Sequence, residues 1–296
     1  ENNCWINCVL RALSVMVEWI PNYSYQSENA MTNALIKYLE DMTITNNRRT
    51  LDVNSMDIYL EQNSEPLSVK QLFSTMINDN DFNTNSQQDA GEGLLLILQK
   101  LGAMESNLMN PFRFCKFYRR QKKRCLNCPV VEHSAIFEDN ILQFYAPQTG
   151  HFDMNQFVTS RLQEEDVRDS RCGNCRQFGA NYSTQFIGTQ KVLIIQLNFM
   201  DASLTKKKSQ CIPLQNLDIN INGETKKYEL HYIIEHIGPN LHCGHYISYF
   251  KKNNTWYCAN DKIITRIETQ DLPSQPYINI YKEAHSVSQS TVEPLD

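Results

Sequence analysis

Apolar residues recur every three or four positions near the start of the chain, at Trp5, Val9, Leu13, Met16 and Ile20, and again at Ala90, Leu94, Ile97, Leu98 and Leu101. That spacing lays one apolar stripe along a helix and predicts an amphipathic helix in each stretch. Between them the chain is polar and rich in asparagine, at Asn46–Arg49 and Asn78–Asp81, which predicts loops. The pattern then changes: Lys191–Leu197, Tyr228–Glu235, His245–Phe250 and Thr255–Cys258 are β-branched and aromatic runs of strand length. Residues 111–185 hold shorter alternating runs, such as Ile141–Tyr145, among polar residues and two Cys-x-x-Cys pairs. Helices, then a cysteine-bearing insertion, then strands is the order of an α+β protein. The expected division is a helical part over 1–110, the insertion over 111–185, a β-sheet over 186–283 and a polar tail or linker over 284–296.

Composition narrows the function classes. With 296 residues, 41% of them hydrophobic, the chain can bury the core of a large domain. A net charge of −5 argues against a nucleic-acid partner, which requires clustered positive charge. No glycine-rich phosphate loop is present, and no apolar run approaches the roughly 18–20 residues of a membrane helix. The chain opens on Glu1 without an apolar leader, so the expectation is a monomeric domain of a longer polypeptide, cytoplasmic, with the nucleus as a second possibility. Ten cysteines spread over such a length point to metal binding and catalysis in a reducing compartment rather than to a disulfide framework.

Four of those cysteines form the two pairs, Cys125-Leu-Asn-Cys128 and Cys172-Gly-Asn-Cys175. Each pair sets two thiolates on one tight turn, and two such turns close a tetrahedral site with no open position, which predicts one structural Zn2+. The plainer alternative is a pair of reduced, metal-free knuckles. Cys115 is a spare thiol, and the basic run Arg119–Arg124 reads as a solvated face before it reads as a partner patch.

Cys4 follows Asn2 and Asn3, both good N-caps, and precedes the first amphipathic pattern. The first turn of a helix favours thiolate over thiol, so Cys4 is a candidate nucleophile, although taken alone it reads first as a small apolar residue at the start of a core helix. Cys8, one turn on, reads as core. A candidate base lies in Cys243-Gly244-His245-Tyr246, the first arm of a hairpin. A four-residue loop at Lys251–Asn254 would set Phe250 opposite Thr255 and His245 opposite Asn260, with Cβ atoms about 4.5–5.5 Å apart. An amide or carboxylate in that place can fix an imidazole tautomer, and a one-residue slip would bring up Asp261 instead. His231 and His236 read as satisfied packing residues. In Ser86-Gln87-Gln88-Asp89-Ala90-Gly91-Glu92, Ser86 and Asp89 have capping-box spacing, while Asp89 and Glu92 share a helix face able to hold a basic peptide.

The order of these boxes (cysteine box, Gln-Gln-Asp box, paired Cys-x-x-Cys, then Gly-His-Tyr and Trp256-x-x-x-Asn260-Asp261) resembles the ubiquitin-specific protease family over residues 1–283. The resemblance implies a papain-like thumb, palm and fingers: helical thumb, antiparallel β palm and zinc-ribbon fingers. It implies Cys4 as nucleophile, His245 as general base and Asn260, with Asp261 beside it, as the orienting residue. It implies that Gln87, Gln88, Asp89, Glu92, Gly244 and Tyr246 receive the C-terminal tail of ubiquitin or a ubiquitin-like modifier. There are departures. Asn2-Asn3-Cys4-Trp5 stands where the family has Gly-Asn-Thr-Cys-Tyr, Gly93 replaces an aromatic residue, and Asn198-Phe199 replaces Arg-Phe. The family's oxyanion-hole side chain falls before Glu1. The cysteine box is more similar to papain-like proteases of coronaviruses and other nidoviruses. A viral protease that processes a replicase polyprotein and also removes ubiquitin is therefore one alternative, and a non-catalytic ubiquitin-binding scaffold is another.

Overall fold

The structure, a computed structural model, describes residues 4–19, 39, 59–60, 88–104, 114–203, 205–213, 215–240, 243–261 and 263–284. Helix α1 (Cys4–Glu18) forms where the first apolar stripe lies. Strand β1 (Tyr59–Leu60) falls inside the region expected to be helical, and helix α2 (Ala90–Met104) follows where the second stripe lies. Trp5, Val9, Leu13 and Met16 of α1 and Leu94, Ile97, Leu98 and Leu101 of α2 are buried in one cluster, so both stripes do what their spacing predicts.

Four strands follow: β2 (Phe117–Cys125), β3 (Val131–His133), β4 (Phe137–Asp139) and β5 (Ile141–Tyr145). Then come β6 (His151–Asp153), helix α3 (Met154–Leu162), β7 (Glu165–Arg171) and β8 (Phe178–Thr189). Asp153 caps α3, its side chain accepting from the Gln156 N–H at 3.0 Å. The remaining strands are β9 (Val192–Asn198), β10 (Gln210–Ile212), β11 (Asn216–Ile221), β12 (Glu224–Asn240), β13 (Cys243–Lys252), β14 (Thr255–Asn260), β15 (Ile263–Ile267) and β16 (Pro276–Glu283). The α+β class expected from the sequence holds.

Among the described residues one large sheet runs β1-β15-β14-β13-β12-β11-β8-β2-β3. The long β12 forks, pairing β11 through Leu217 and Tyr228 and β16 through Ile278 and Ile234. Beyond β16 lies β9, antiparallel to it, and then β5, parallel to β9. Ile141–Tyr145, expected within the cysteine-bearing insertion, is thus a strand of the central sheet.

The sheet is buried on both faces at its centre. Val192 and Ile194 of β9 join the α1–α2 cluster, while Leu193, Ile195 and Leu197 join a second core with Phe157 and Val158 of α3. That two-sided burial is why β9 reads as a continuous apolar run and does not alternate. Gln196, buried among these residues, interrupts the run.

Candidate active site

Two contacts hold α1 to the strands behind it. The Tyr232 hydroxyl donates to the Cys8 carbonyl at 2.8 Å, and the buried Arg11 guanidinium reaches Ser248 Oγ at 3.4 Å. They seat the middle of α1, the helix that Cys4 opens, on β12 and β13. Cys4 is 9% exposed and shares a cluster with Tyr246, the residue after His245. Asn2 and Asn3, the expected N-caps, lie outside the described residues. Cys8 is fully buried, and burial pushes its thiol up to about 12.

The hairpin carrying His245 differs from expectation in its register. Its turn has two residues, Asn253 and Asn254, at φ 47° and 61°, so Lys252 faces Thr255 and Ser248 faces Ala259. Two consecutive left-handed residues make the tight turn whose twist matches that of the flanking strands, and asparagine tolerates that conformation better than other side chains. The ladder is displaced by two residues from the four-residue-loop reading. A shift of two leaves every side chain on its expected face, and a diagonal pair remains within reach of long side chains. His245 and Asn260 accordingly meet: Nε2 lies 2.7 Å from Asn260 Oδ1. Asp261 is in the following turn at φ 51°, its Oδ2 3.8 Å from the same nitrogen and its side chain 54% exposed. The structure brings all three together, with Asn260 in hydrogen-bonding contact and Asp261 beyond it.

Gly244 is there because nothing larger fits. A Cβ on it would overlap His236 Nε2 and the Ile237 carbonyl oxygen. His236 pairs across the ladder with Tyr246, its ring 4.8 Å from the tyrosine ring. It is a packing residue as expected, but not a satisfied one: among the described residues neither ring nitrogen has a hydrogen-bond partner. Burial pushes it down to about 4, so it stays neutral at physiological pH. His231 packs edge-on against Trp19 and faces Glu229 at 3.4 Å.

The acidic helix start is also arranged differently from expectation. Asp89 stands at the cap of α2 and not inside its first turn: its Oδ1 accepts from the N–H groups of Gly91 at 2.7 Å and Glu92 at 2.9 Å. Ser86 and Gln87 lie outside the described residues. Oδ2 accepts from the Tyr277 hydroxyl at 2.6 Å and, weakly, from the Tyr246 hydroxyl at 3.5 Å. Glu92 is exposed on the same face, its carboxyl held above the usual range by partial burial and then by the Asp89 charge. Gln88, just before the cap, is half-buried. Tyr277 and the Gln196 and Gln143 side chains behind it escaped sequence reasoning, because no spacing links residues on β16, β9 and β5 to a helix start.

At the far end of the sheet, Cys125 closes β2 and Cys172 follows β7. Their sulfur atoms, with those of Cys128 and Cys175, all lie within 4.8 Å of one another. The Cys125–Cys175 and Cys128–Cys172 sulfur separations are both 3.6 Å. A tetrahedral site with metal–sulfur bonds of about 2.3 Å requires about 3.8 Å between sulfurs. Four cysteines at that spacing can hold one metal ion, with no fifth side chain needed. Three of the five basic residues of the run on β2 are ion-paired, Arg119 with Asp139, Lys123 with Glu132 and Arg124 with Glu164, while Arg120 bonds the Gln185 side chain. Cys115 is buried against the Met16 sulfur, away from the knuckles.

A family model described as ubiquitin carboxyl-terminal hydrolase matches residues 1–281. Ubiquitin carboxyl-terminal hydrolase 42 of Homo sapiens is 28% identical over 180 residues, covering 57% of this chain and 14% of that protein. Ubiquitin carboxyl-terminal hydrolase 17-like protein C of Mus musculus is 25% identical over 236 residues, covering 72% of this chain and 43% of that protein. The chain therefore spans less than half the length of either relative. Among solved structures, a chain of the Ubp8/Sgf11/Sus1/Sgf73 SAGA DUB module bound to ubiquitin aldehyde superposes with a TM-score of 0.69 at 17% identity, over 96% of this chain and 68% of that one. A SAGA DUB module bound to monoubiquitin gives a TM-score of 0.71 at 17% identity, over 96% of this chain and 67% of that one. These structural likenesses concern the fold, and they bear out the thumb, palm and fingers architecture. Because the family model spans nearly the entire sequence, the chain belongs to the ubiquitin carboxyl-terminal hydrolase family.

Proposed function

We propose that this chain is a thiol protease that hydrolyses peptide or isopeptide bonds after the C-terminal Gly-Gly of ubiquitin or a related modifier. The observation that carries the reading is the His245–Asn260 contact at 2.7 Å, on a strand against which α1, the helix that begins at Cys4, packs. Asn260 Oδ1 can only accept a hydrogen bond, so the ring proton sits on Nε2 and the lone pair on Nδ1. Nδ1 takes the Cys4 proton as the thiolate attacks the carbonyl carbon, and the imidazolium then protonates the departing amine. A water molecule, deprotonated by the same nitrogen, hydrolyses the thioester and releases Cys4. Backbone N–H groups at the start of α1 stabilise the oxyanion in part.

In this reading the acidic helix start receives the modifier's tail, and the two carboxylates divide the task. Asp89 has three of its four acceptor positions well filled by the protein, leaving one on Oδ2 for a substrate N–H. Glu92 is the carboxylate open to a basic side chain. Gly244, Tyr246 and Gln88 are assigned to the same path; Gln87, the fourth residue of that assignment, lies outside the described residues. Zinc is the ion we assign to the four cysteines, in a structural role, because a closed thiolate set leaves no position for substrate or water.

Treatment with ubiquitin bearing a thiol-reactive group at its C terminus should add the mass of one ubiquitin, with the cross-link mapping to Cys4. A protein that binds ubiquitin but forms no adduct is a scaffold, and the proposal fails. The orienting residue is tested separately. Asn260→Ala should lower kcat by roughly 10- to 100-fold, the worth of one hydrogen bond to an imidazolium. Asp261→Ala, which removes a solvent-screened charge, should cost less than about tenfold. The reverse order of losses would transfer the orienting role to Asp261.

A further inference from the structure

The first turn of α2 holds one more oxygen than capping requires. Capping occupies Oδ1 of Asp89 alone, so the hydrogen bonds to Oδ2 call for a separate explanation. Oδ2 accepts from Tyr277, and the single hydroxyl proton used there obliges the Tyr277 oxygen to accept from its other neighbour. That neighbour is Gln196, whose Nε2 lies 2.6 Å away. Gln196 in turn accepts at Oε1 from Gln143 Nε2 at 2.9 Å. Donor and acceptor directions are thereby set along a chain from β5 through β9 and β16 to the helix start. Gln196 is 7% and Tyr277 6% exposed. A buried amide among Val192, Ile194 and the α2 side chains costs stability unless it is bonded, and here its bonds end on the carboxylate.

Gly91 belongs to the same arrangement. A Cβ there would lie 2.6 Å from Gln196 Nε2 and 2.8 Å from Cδ, so only glycine lets the glutamine pass beneath the helix start. Without the Tyr277 hydroxyl, Oδ2 would keep only the long Tyr246 contact. With it both oxygens are anchored, and the acceptor position that Tyr246 fills only weakly is the one left for a substrate N–H.

We infer that Tyr277, held by Gln196 and by the space Gly91 leaves, is a positioning residue that aims the Asp89 carboxylate at the tail of the bound modifier. The inference rests on the proposed function, because Asp89 must receive that tail for its aim to matter. Binding of intact ubiquitin and of ubiquitin lacking its C-terminal tail is measured for the wild type, Tyr277→Phe and Gly91→Ala, with kcat and KM on a ubiquitin C-terminal fluorogenic amide. Tyr277→Phe should weaken intact ubiquitin about tenfold, the value of one hydrogen bond to a charged group. Tail-less ubiquitin should bind wild type and variant alike, KM should rise with kcat little changed, and iodoacetamide should alkylate Cys4 at the wild-type rate. Gly91→Ala, which displaces Gln196 and leaves the hydroxyl in place, should act in the same direction and decides the matter if Tyr277→Phe does not fold. Equal weakening of both ubiquitin forms, or no weakening of either, overturns the inference while the proposed function stands. A wild type that neither binds nor cleaves ubiquitin overturns both.

Discussion

Replacing Cys4 with alanine is expected to reduce hydrolysis of a ubiquitin C-terminal fluorogenic amide by more than about 10⁴-fold, to the residual rate left when a nucleophile is deleted from a working site. The protein should fold almost normally. Cys4 behaves as a small apolar residue at the edge of the α1–α2 cluster, and exchanging its sulfur for hydrogen costs about 1 kcal/mol or less by cavity arithmetic. Ubiquitin affinity should persist, because the residues assigned to recognition lie at the start of α2 and on β13. His245→Ala should be about as damaging as Cys4→Ala, and the double variant no worse than either, because residues that act as a unit do not contribute additively. Cys8→Ala is the internal control. Its thiol is fully buried and pushed up to about 12, so it is protonated and inert at neutral pH. Cys4→Ala retaining a tenth or more of wild-type turnover, or Cys8→Ala losing it, would place the nucleophile elsewhere.

The sequence carried the features of this site that depend on local spacing. Apolar residues at every third or fourth position located α1 and α2, and strand-length runs located β9, β12, β13 and β14. Two Cys-x-x-Cys pairs announced the four-sulfur cluster before any fold was in view. Features that depend on turn geometry came through in part. Asn253 and Asn254 both adopt positive φ and shorten the hairpin turn to two residues. Because the error in register was even, the His245–Asn260 encounter survived it, whereas an odd error would have turned one partner to the opposite face. Features assembled across the sheet were not legible. Nothing in Gln143, Gln196 or Tyr277 announces a link to Asp89, since that link depends on β5, β9 and β16 lying side by side. The cap of α2 was only half legible for a related reason: Ser86 and Asp89 both have capping side chains, and the structure is what sets Asp89 Oδ1 on the N–H groups of Gly91 and Glu92 and ties its second oxygen to Tyr277.

Removing the metal should have the second largest effect, and the apolar surface at the fingertips explains why. Around the knuckles Leu126 is 56% exposed, Val131 43% and Phe178 63%, so the tip has little buried apolar surface of its own to hold β2, β7 and β8 together there. Leu126 donates its N–H to the Gly179 carbonyl and Cys125 its N–H to the Val130 carbonyl, both at the ends of strands where isolated hydrogen bonds fray. The zinc ion proposed for the four thiolates, with an apparent binding free energy of about 10–16 kcal/mol in small domains, would supply what the missing core does not. The wild type should carry one zinc per chain by elemental analysis. Cys172→Ser should lose it, and limited proteolysis should then cut at 126–131 and 172–178 while the α1–α2 cluster stays intact. Ubiquitin hydrolysis should fall through KM, with Cys4 still alkylated by iodoacetamide at the wild-type rate, because the knuckles and the helix start occupy different parts of the fold. The same losses should follow chelation and be reversed by added zinc. A protein that contains no zinc, resists proteolysis at the tip and hydrolyses ubiquitin normally would show that the four thiols hold their geometry without an ion, and the fingers would then owe their order to the β2–β8 pairing alone.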